Sequence, residues 1–193
     1  MKRPAPSVLL VIDIQDSFKA RAERWAHRSN PAFEANVTRL IDAFRTRGHE
    51  IIYVLHQDDD VEFSPISDHY RLQDFLSPLP GEVTLHKTTR SVFASTDLAR
   101  RLTQLGATHL VITGIQTEQC CETTARDAGD RGYTVDFVTE ATATFPIPHW
   151  NGGPTLGTDD ITRRTEYALA GRFARIRTAD DVIRNLEPLA ALA

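Results

Sequence analysis

The chain has 193 residues, 41% hydrophobic and 25% charged, with a net charge of −4 at pH 7 spread over interspersed acids and bases. That length buries a core without disulfide or metal staples, the composition excludes a disordered chain, and the mixed charge leaves no footprint for nucleic acid or an anionic membrane. The two cysteines, Cys120 and Cys121, are adjacent. They cannot form a disulfide framework and point to a reducing, cytoplasmic compartment; no apolar run has the form of a signal peptide or membrane span.

Ser7 to Ile12 (SVLLVI) reads as a central parallel strand, and Asp13 puts a carboxylate at its C-terminal end. An aspartate in a solvated turn gives the same pattern. The loop that follows, QDSFKARAERWAHRSN, is polar but carries Phe18 and Trp25, which either wall a pocket or pack the loop down. Asn30 is expected to cap a helix with Pro31 at its first position, since Phe33, Val37, Leu40, Ile41 and Phe44 recur at helical spacing up to Gly48. Glu50 to Leu55 is the second strand, and strand, helix, strand predicts a right-handed parallel crossover.

Residues 56–81 are a long aperiodic connection, the kind usually kept for function. They include His56, Asp58, Asp60 and His69. Histidine with aspartate suits zinc or iron, but no metal signature of fixed spacing is matched, so no metal is predicted. Glu82 to His86 is a short strand ending at Lys87, and a helix starting at Ser95 or Thr96 places Leu98, Leu102 and Leu105 on one face before Gly106.

Thr108 to Ala128 carries the most chemistry. His109 to Thr113 is a buried strand, Gly114 is expected to break it, and good helix formers run from about Glu118 to Arg131, with Gly132 beyond. Cys120 then lies in a first helical turn, where unpaired N–H groups and the helix dipole favour a thiolate and a developing oxyanion. Free cysteines are more often small core residues, and Cys121 faces a different direction from its neighbour. Tyr133 to Val138 is the next strand. Thr139 to Thr158 contains FPIPHWNGGP, with Trp150, and reads as an irregular lid or subunit contact. Thr158 caps a helix through Ala170, Phe173 to Arg177 is a last strand, and Thr178 with Asp181 forms a capping box for a final helix.

This alternation predicts a single α/β domain over residues 1–193: three α/β/α layers around a mainly parallel twisted sheet. Ligands in such folds bind beyond the carboxyl ends of the strands, and Asp13, Lys87 and Cys120 all fall at or just past such ends. A carboxylate, an ammonium and a thiol are thereby expected at one rim.

Three segments, LLVIDIQDSF with Asp13, HKTTRSVFASTDL with Lys87 and VITGIQTEQCCETTARDA with Cys120, resemble the isochorismatase-like cysteine hydrolases, which include nicotinamidases, N-carbamoylsarcosine amidase and ureidoacrylate amidases. The family pattern sets the nucleophile three residues after one threonine and four before another. Thr117 and Thr124 therefore frame Cys120, and Cys121 falls where valine is common. The resemblance implies a catalytic triad of Asp13, Lys87 and Cys120. It also implies a cis peptide between Ile115 and Gln116, with the Gln116 and Cys120 N–H groups as an oxyanion hole. It further implies no cofactor and a homo-oligomer, dimer or tetramer, with the segment around Trp150 as the place to look for the contact. Phe18, Trp25, His56 and Trp150 are the candidate substrate-pocket residues.

Nicotinamidases of the family hold a metal with an aspartate and two histidines, a pattern that HQDDD matches poorly, so nicotinamide is not the leading substrate. Isochorismatases proper cleave a vinyl ether and lack the cysteine. The expected reaction is hydrolysis of a small-molecule amide-type C–N bond through a covalent acyl-enzyme. One rival is hydrolysis of an ester, thioester or vinyl ether on the same scaffold. The other is a non-catalytic binding or redox module of flavodoxin type, although there is no Cys-x-x-Cys, no GxGxxG after the first strand and no phosphate loop.

Overall fold

In the computed structural model, which describes residues 5–189, strand β1 (Ser7–Ile12) is buried from Val8 onward on both faces. It pairs in parallel with β2 (Glu50–His56) on one side and β4 (His109–Ile115) on the other. The strands β3 (Val83–Lys87), β5 (Thr134–Ala143) and β6 (Arg175–Ile176) complete a six-stranded parallel sheet in the order β3-β2-β1-β4-β5-β6. The order reverses between β1 and β4, whose carboxyl ends therefore flank the crevice where α/β folds bind ligands. The termini of the expected domain, residues 1–4 and 190–193, lie outside the described residues.

Alternation along β1 divides the core in two. Leu9 and Val11 face helices α2 (Phe33–Thr46) and α7 (Ala179–Asn185). Val8, Leu10 and Ile12 face α3 (Val92–Ser95), α4 (Leu98–Leu105), α5 (Glu122–Asp130) and α6 (Thr158–Leu169). Three layers result, as expected from the pattern. Phe33, Val37, Leu40, Ile41 and Phe44 form the buried stripe of α2, and truncating any one of them to alanine costs roughly 2–5 kcal/mol. No helix among the described residues is long and apolar enough to cross a membrane.

Several local expectations are corrected. Asn30 does not cap α2, which starts at Phe33. It adopts the left-handed region, φ 52°, and its amide donates instead to the Thr139 and Thr142 carbonyls at 2.9 and 2.6 Å. Gly114 does not break β4 but lies within it. At φ 138° it lets β4 pass so close to β1 that a Cβ would sit 2.0 Å from the Ile12 carbonyl oxygen. The register of β4 against β5 shifts between Ile112 and Gly114, and pairing resumes at Thr142 and Ala143. The fifth strand accordingly runs on to Ala143, with Ala141 and Ala143 in the core, instead of ending at Val138. Thr158 is the first residue of α6 and supplies no cap, and the last strand spans two residues. The Thr178 and Asp181 capping box is formed.

Candidate active site

Three strand ends build the site. Asp13 follows β1 with φ 54°, its N–H donating to the Val54 carbonyl and its own carbonyl accepting from Gln15 N, both at 2.9 Å. Lys87 is the last residue of β3, and His56 the last of β2. Beyond β4, the Ile115–Gln116 peptide is cis, and residues Thr117–Cys121 make a wide π turn before α5 begins at Glu122. The two threonines flanking Cys120 tie this turn on both sides. The Thr117 hydroxyl lies 2.8 Å from that of Thr142 on β5, and the Thr124 hydroxyl accepts from Val92 N on α3.

Asp13 and Lys87 are wholly buried. Lys87 Nζ lies 2.8 Å from Asp13 Oδ2 as an ion pair and donates to His56 Nδ1 at 3.1 Å and Cys120 Sγ at 3.3 Å. Both Asp13 oxygens are buried, and the donors that face this carboxylate are the Lys87 ammonium at 2.8 Å and the Cys120 thiol. A carboxylate held this way has lone pairs open to take a proton. His56 Nδ1 faces the Lys87 ammonium, and Nε2 faces both Arg90 Nη1 at 2.9 Å and Asp58 Oδ2 at 3.3 Å; a neutral imidazole accepts at one nitrogen only, so these contacts do not fix its tautomer. Burial first, and the Lys87 charge second, push the His56 pKa down, which agrees with a neutral ring.

Cys120 is 4% exposed. Burial, reinforced by the Asp13 charge, pushes its thiol up to about 12 against the opposing pull of Lys87. Burial of this site therefore opposes the thiolate that a first-turn dipole and the Lys87 ammonium favour. Cys121 is fully buried in the core packed under α5, and its thiol is also pushed well up by burial.

A pocket of about 220 Å³ opens above Cys120. Phe18 and His56 line it, with Phe63 set edge-to-face on Phe18 at 5.0 Å. Trp25 and Trp150 do not. Trp25 packs on Phe145 at 6.1 Å, covered by the Arg28 guanidinium, because it follows the pocket loop on the far side of a short helix, α1 (Ala22–Ala26). Trp150 is 89% exposed on an arm closed by the Ile147 and Leu156 bridge.

The acidic loop is drawn into other contacts: Asp60 pairs with Arg21 at 2.7 Å, and the His69 carbonyl accepts from Ser17 Oγ at 3.1 Å. Among the described residues, no three His, Cys, Asp or Glu side chains are grouped to hold a metal ion.

Three residues escaped the sequence reading. Gln15 clamps the end of β2, its amide accepting from His56 N at 2.8 Å and donating to His56 O at 3.0 Å. Arg24 donates to Gln116 Oε1 at 3.3 Å, and Arg90 Nη1 lies 2.9 Å from His56 Nε2. Gln15, two residues past the strand-end carboxylate, carried a signal in its position; the arginines, one on the five-residue helix α1 and one in the turn after β3, carried none.

The family model described as Isochorismatase domain matches residues 7–152, a span that holds all of these groups. An uncharacterized isochorismatase family protein of Bacillus subtilis, YrdC, is 29% identical over 92% of this chain and 94% of its own. Nicotinamidase 3 of Arabidopsis thaliana is 28% identical over 93% and 88%. The crystal structure of a putative hydrolase of the isochorismatase family from Chromobacterium violaceum matches with a TM-score of 0.87 and 27% identity, covering 94% of each chain. With three quarters of its length matched by the family model, the chain belongs to the isochorismatase family of hydrolases.

Proposed function

We propose that the protein hydrolyses an amide-type C–N bond of a small molecule through a covalent intermediate on Cys120. The observation that carries this reading is that a buried thiol and a buried carboxylate line one pocket with a buried ammonium behind them, 3.3 Å from the sulfur and 2.8 Å from the carboxylate. The likeness to a nicotinamidase supports an amide over an ester.

The steps follow from the resting charges. Asp13 takes the Cys120 proton as Sγ attacks the carbonyl carbon, so the thiolate exists only while it is bonding, and Lys87 offsets the negative charge that moves between them. The carbonyl oxygen becomes an oxyanion facing the Gln116 and Cys120 N–H groups. Protonated Asp13 returns its proton to the leaving nitrogen, the C–N bond breaks, and ammonia or an amine departs from a thioester. Water then loses a proton to Asp13 and attacks the thioester carbon. The C–S bond breaks, the thiol recovers the proton, and a carboxylic acid leaves.

Ammonia release from a panel of small primary amides tests this. Cys120→Ala is expected to abolish turnover and Asp13→Asn to lower kcat by ~10²–10⁴, with the fold retained by circular dichroism. Full activity in either variant would overturn the reading.

A further inference from the structure

His56 is 4% exposed at the end of β2, and its place is set from several sides. The parallel register of β2 against β3 pairs it with Lys87. The buried Gln15 amide binds both of its backbone groups, at 2.8 and 3.0 Å, and Gln73 in turn donates to the Gln15 carbonyl at 3.3 Å. Phe63 meets the ring edge-on at 6.0 Å. The ring thus stands between two cations in unlike surroundings: the wholly buried Lys87 ammonium at Nδ1, and the exposed Arg90 guanidinium at Nε2. A neutral imidazole has one lone pair to give, so one of the two cations goes without.

Burial decides which. Around Lys87 Nζ lie Asp13 Oδ2 at 2.8 Å, His56 Nδ1 at 3.1 Å and Cys120 Sγ at 3.3 Å, three groups for the three hydrogens of an ammonium. A buried donor that loses its acceptor bears the whole cost of its desolvation, whereas an exposed guanidinium turns to water. Asp58 Oδ2, 3.3 Å from Nε2, suits a hydrogen on that nitrogen. We propose that His56 is a positioning residue: it keeps its hydrogen on Nε2, gives the Nδ1 lone pair to Lys87, and so holds the ammonium between Asp13 and Cys120. This rests on the amidase reading above and deepens it. Lysine carries its charge on a flexible four-carbon stem, and the carboxylate is the strongest attractor near this one. With the imidazole gone, Nζ is drawn toward Asp13 and away from Sγ, and negative charge arriving on sulfur meets a more distant cation.

Two readouts test this. Nitrogen NMR of protein labelled with ¹⁵N-histidine near neutral pH, with the His56 signals assigned by their loss in His56→Asn, is expected to show a bare Nδ1 and a protonated Nε2, unchanged in Arg90→Gln. Alkylation of Cys120 by iodoacetamide, followed by peptide mapping, is expected to slow about tenfold in His56→Phe, which fills the space and accepts nothing, the worth of one hydrogen bond to a charged group. His56→Gln, whose amide reaches toward the Nε2 position, should be as slow. His56→Asn sets an amide oxygen where Nδ1 stands and should recover most of the rate, with circular dichroism checking the fold of each variant. A hydrogen found on Nδ1, or His56→Phe alkylated at the wild-type rate, overturns the positioning role and leaves the amidase reading standing. If wild-type Cys120 does not react in the folded protein, the amidase reading itself fails, and the role of His56 with it, whichever nitrogen carries the hydrogen.

Discussion

Lys87 and Asp13 hold each other's charge where neither side chain is exposed. Both are wholly buried, and removal of one leaves the other uncompensated. Lys87→Met is therefore expected to cost roughly 3–5 kcal/mol in urea unfolding, and adding Asp13→Asn to it should return part of that loss, since a neutral pair tolerates burial. Independent, additive losses would mean that the ion pair does not couple. The Cys120 thiol gives a second residue-scale prediction, with its sign set by burial. Folding raises its pKa from the ordinary ~8.5 to about 12, so the native state keeps a proton that the unfolded chain gives up. The stability due to this group is fully present below about pH 8.5 and falls as pH rises toward about 12. Thiolate absorbance near 240 nm should show no Cys120 step between about pH 6 and 8, judged against Cys120→Ala, and that variant should lose less stability than the wild type on the alkaline side. A Cys120 titration below ~8.5 would show that Lys87 outweighs burial.

At the scale of elements, the site depends on how closely β1 and β4 approach. Ile12 pairs with Gly114 one residue before Asp13, and Cys120 follows Gly114 by six positions. A side chain at Gly114 would drive into the Ile12 carbonyl, and its φ of 138° is itself a glycine conformation. Gly114→Ala is expected to destabilise the protein by roughly 3 kcal/mol or more and to pull Asp13 away from Cys120, so that what folds alkylates slowly. An unchanged melting temperature would show that the strands can part without cost. The glycine drew notice in the sequence for the wrong reason. A lone glycine after a β-branched run signals a turn, whereas this one answers to a neighbouring strand that is distant in sequence. Asn30 was misread in the same way: its place before Pro31 looks like a cap, but its amide serves β5 carbonyls more than a hundred residues away.

Across the whole molecule, what was legible in the sequence follows rigidity. Asp13, Lys87 and Cys120 could be placed together because strand ends follow from hydrophobic runs, and parallel topology brings those ends to one edge. The protonation of Cys120 could not, since burial belongs to the packed structure and not to the segment. Arg24 and Arg90 were hidden because a five-residue helix and a loop path are both too short or too irregular to show a periodicity, and Trp150 was misplaced because a large aromatic reads the same in a pocket wall as on an exposed arm. The same division predicts how the protein moves. The central strands β1 and β4 are buried beyond their first residues and hydrogen-bonded on both sides, whereas α1, which carries Arg24, buries none of its side chains. Native-state hydrogen exchange should show β1 and β4 amides opening only with global unfolding, and the amides of residues 22–26 opening several kcal/mol sooner. Equal protection of α1 and β1 would contradict this. If the difference holds, the groups proposed to do the chemistry sit on the stiffest part of the fold. Arg24, in the pocket wall, sits on one of its loosest, where the pocket can be reshaped at little cost to the sheet.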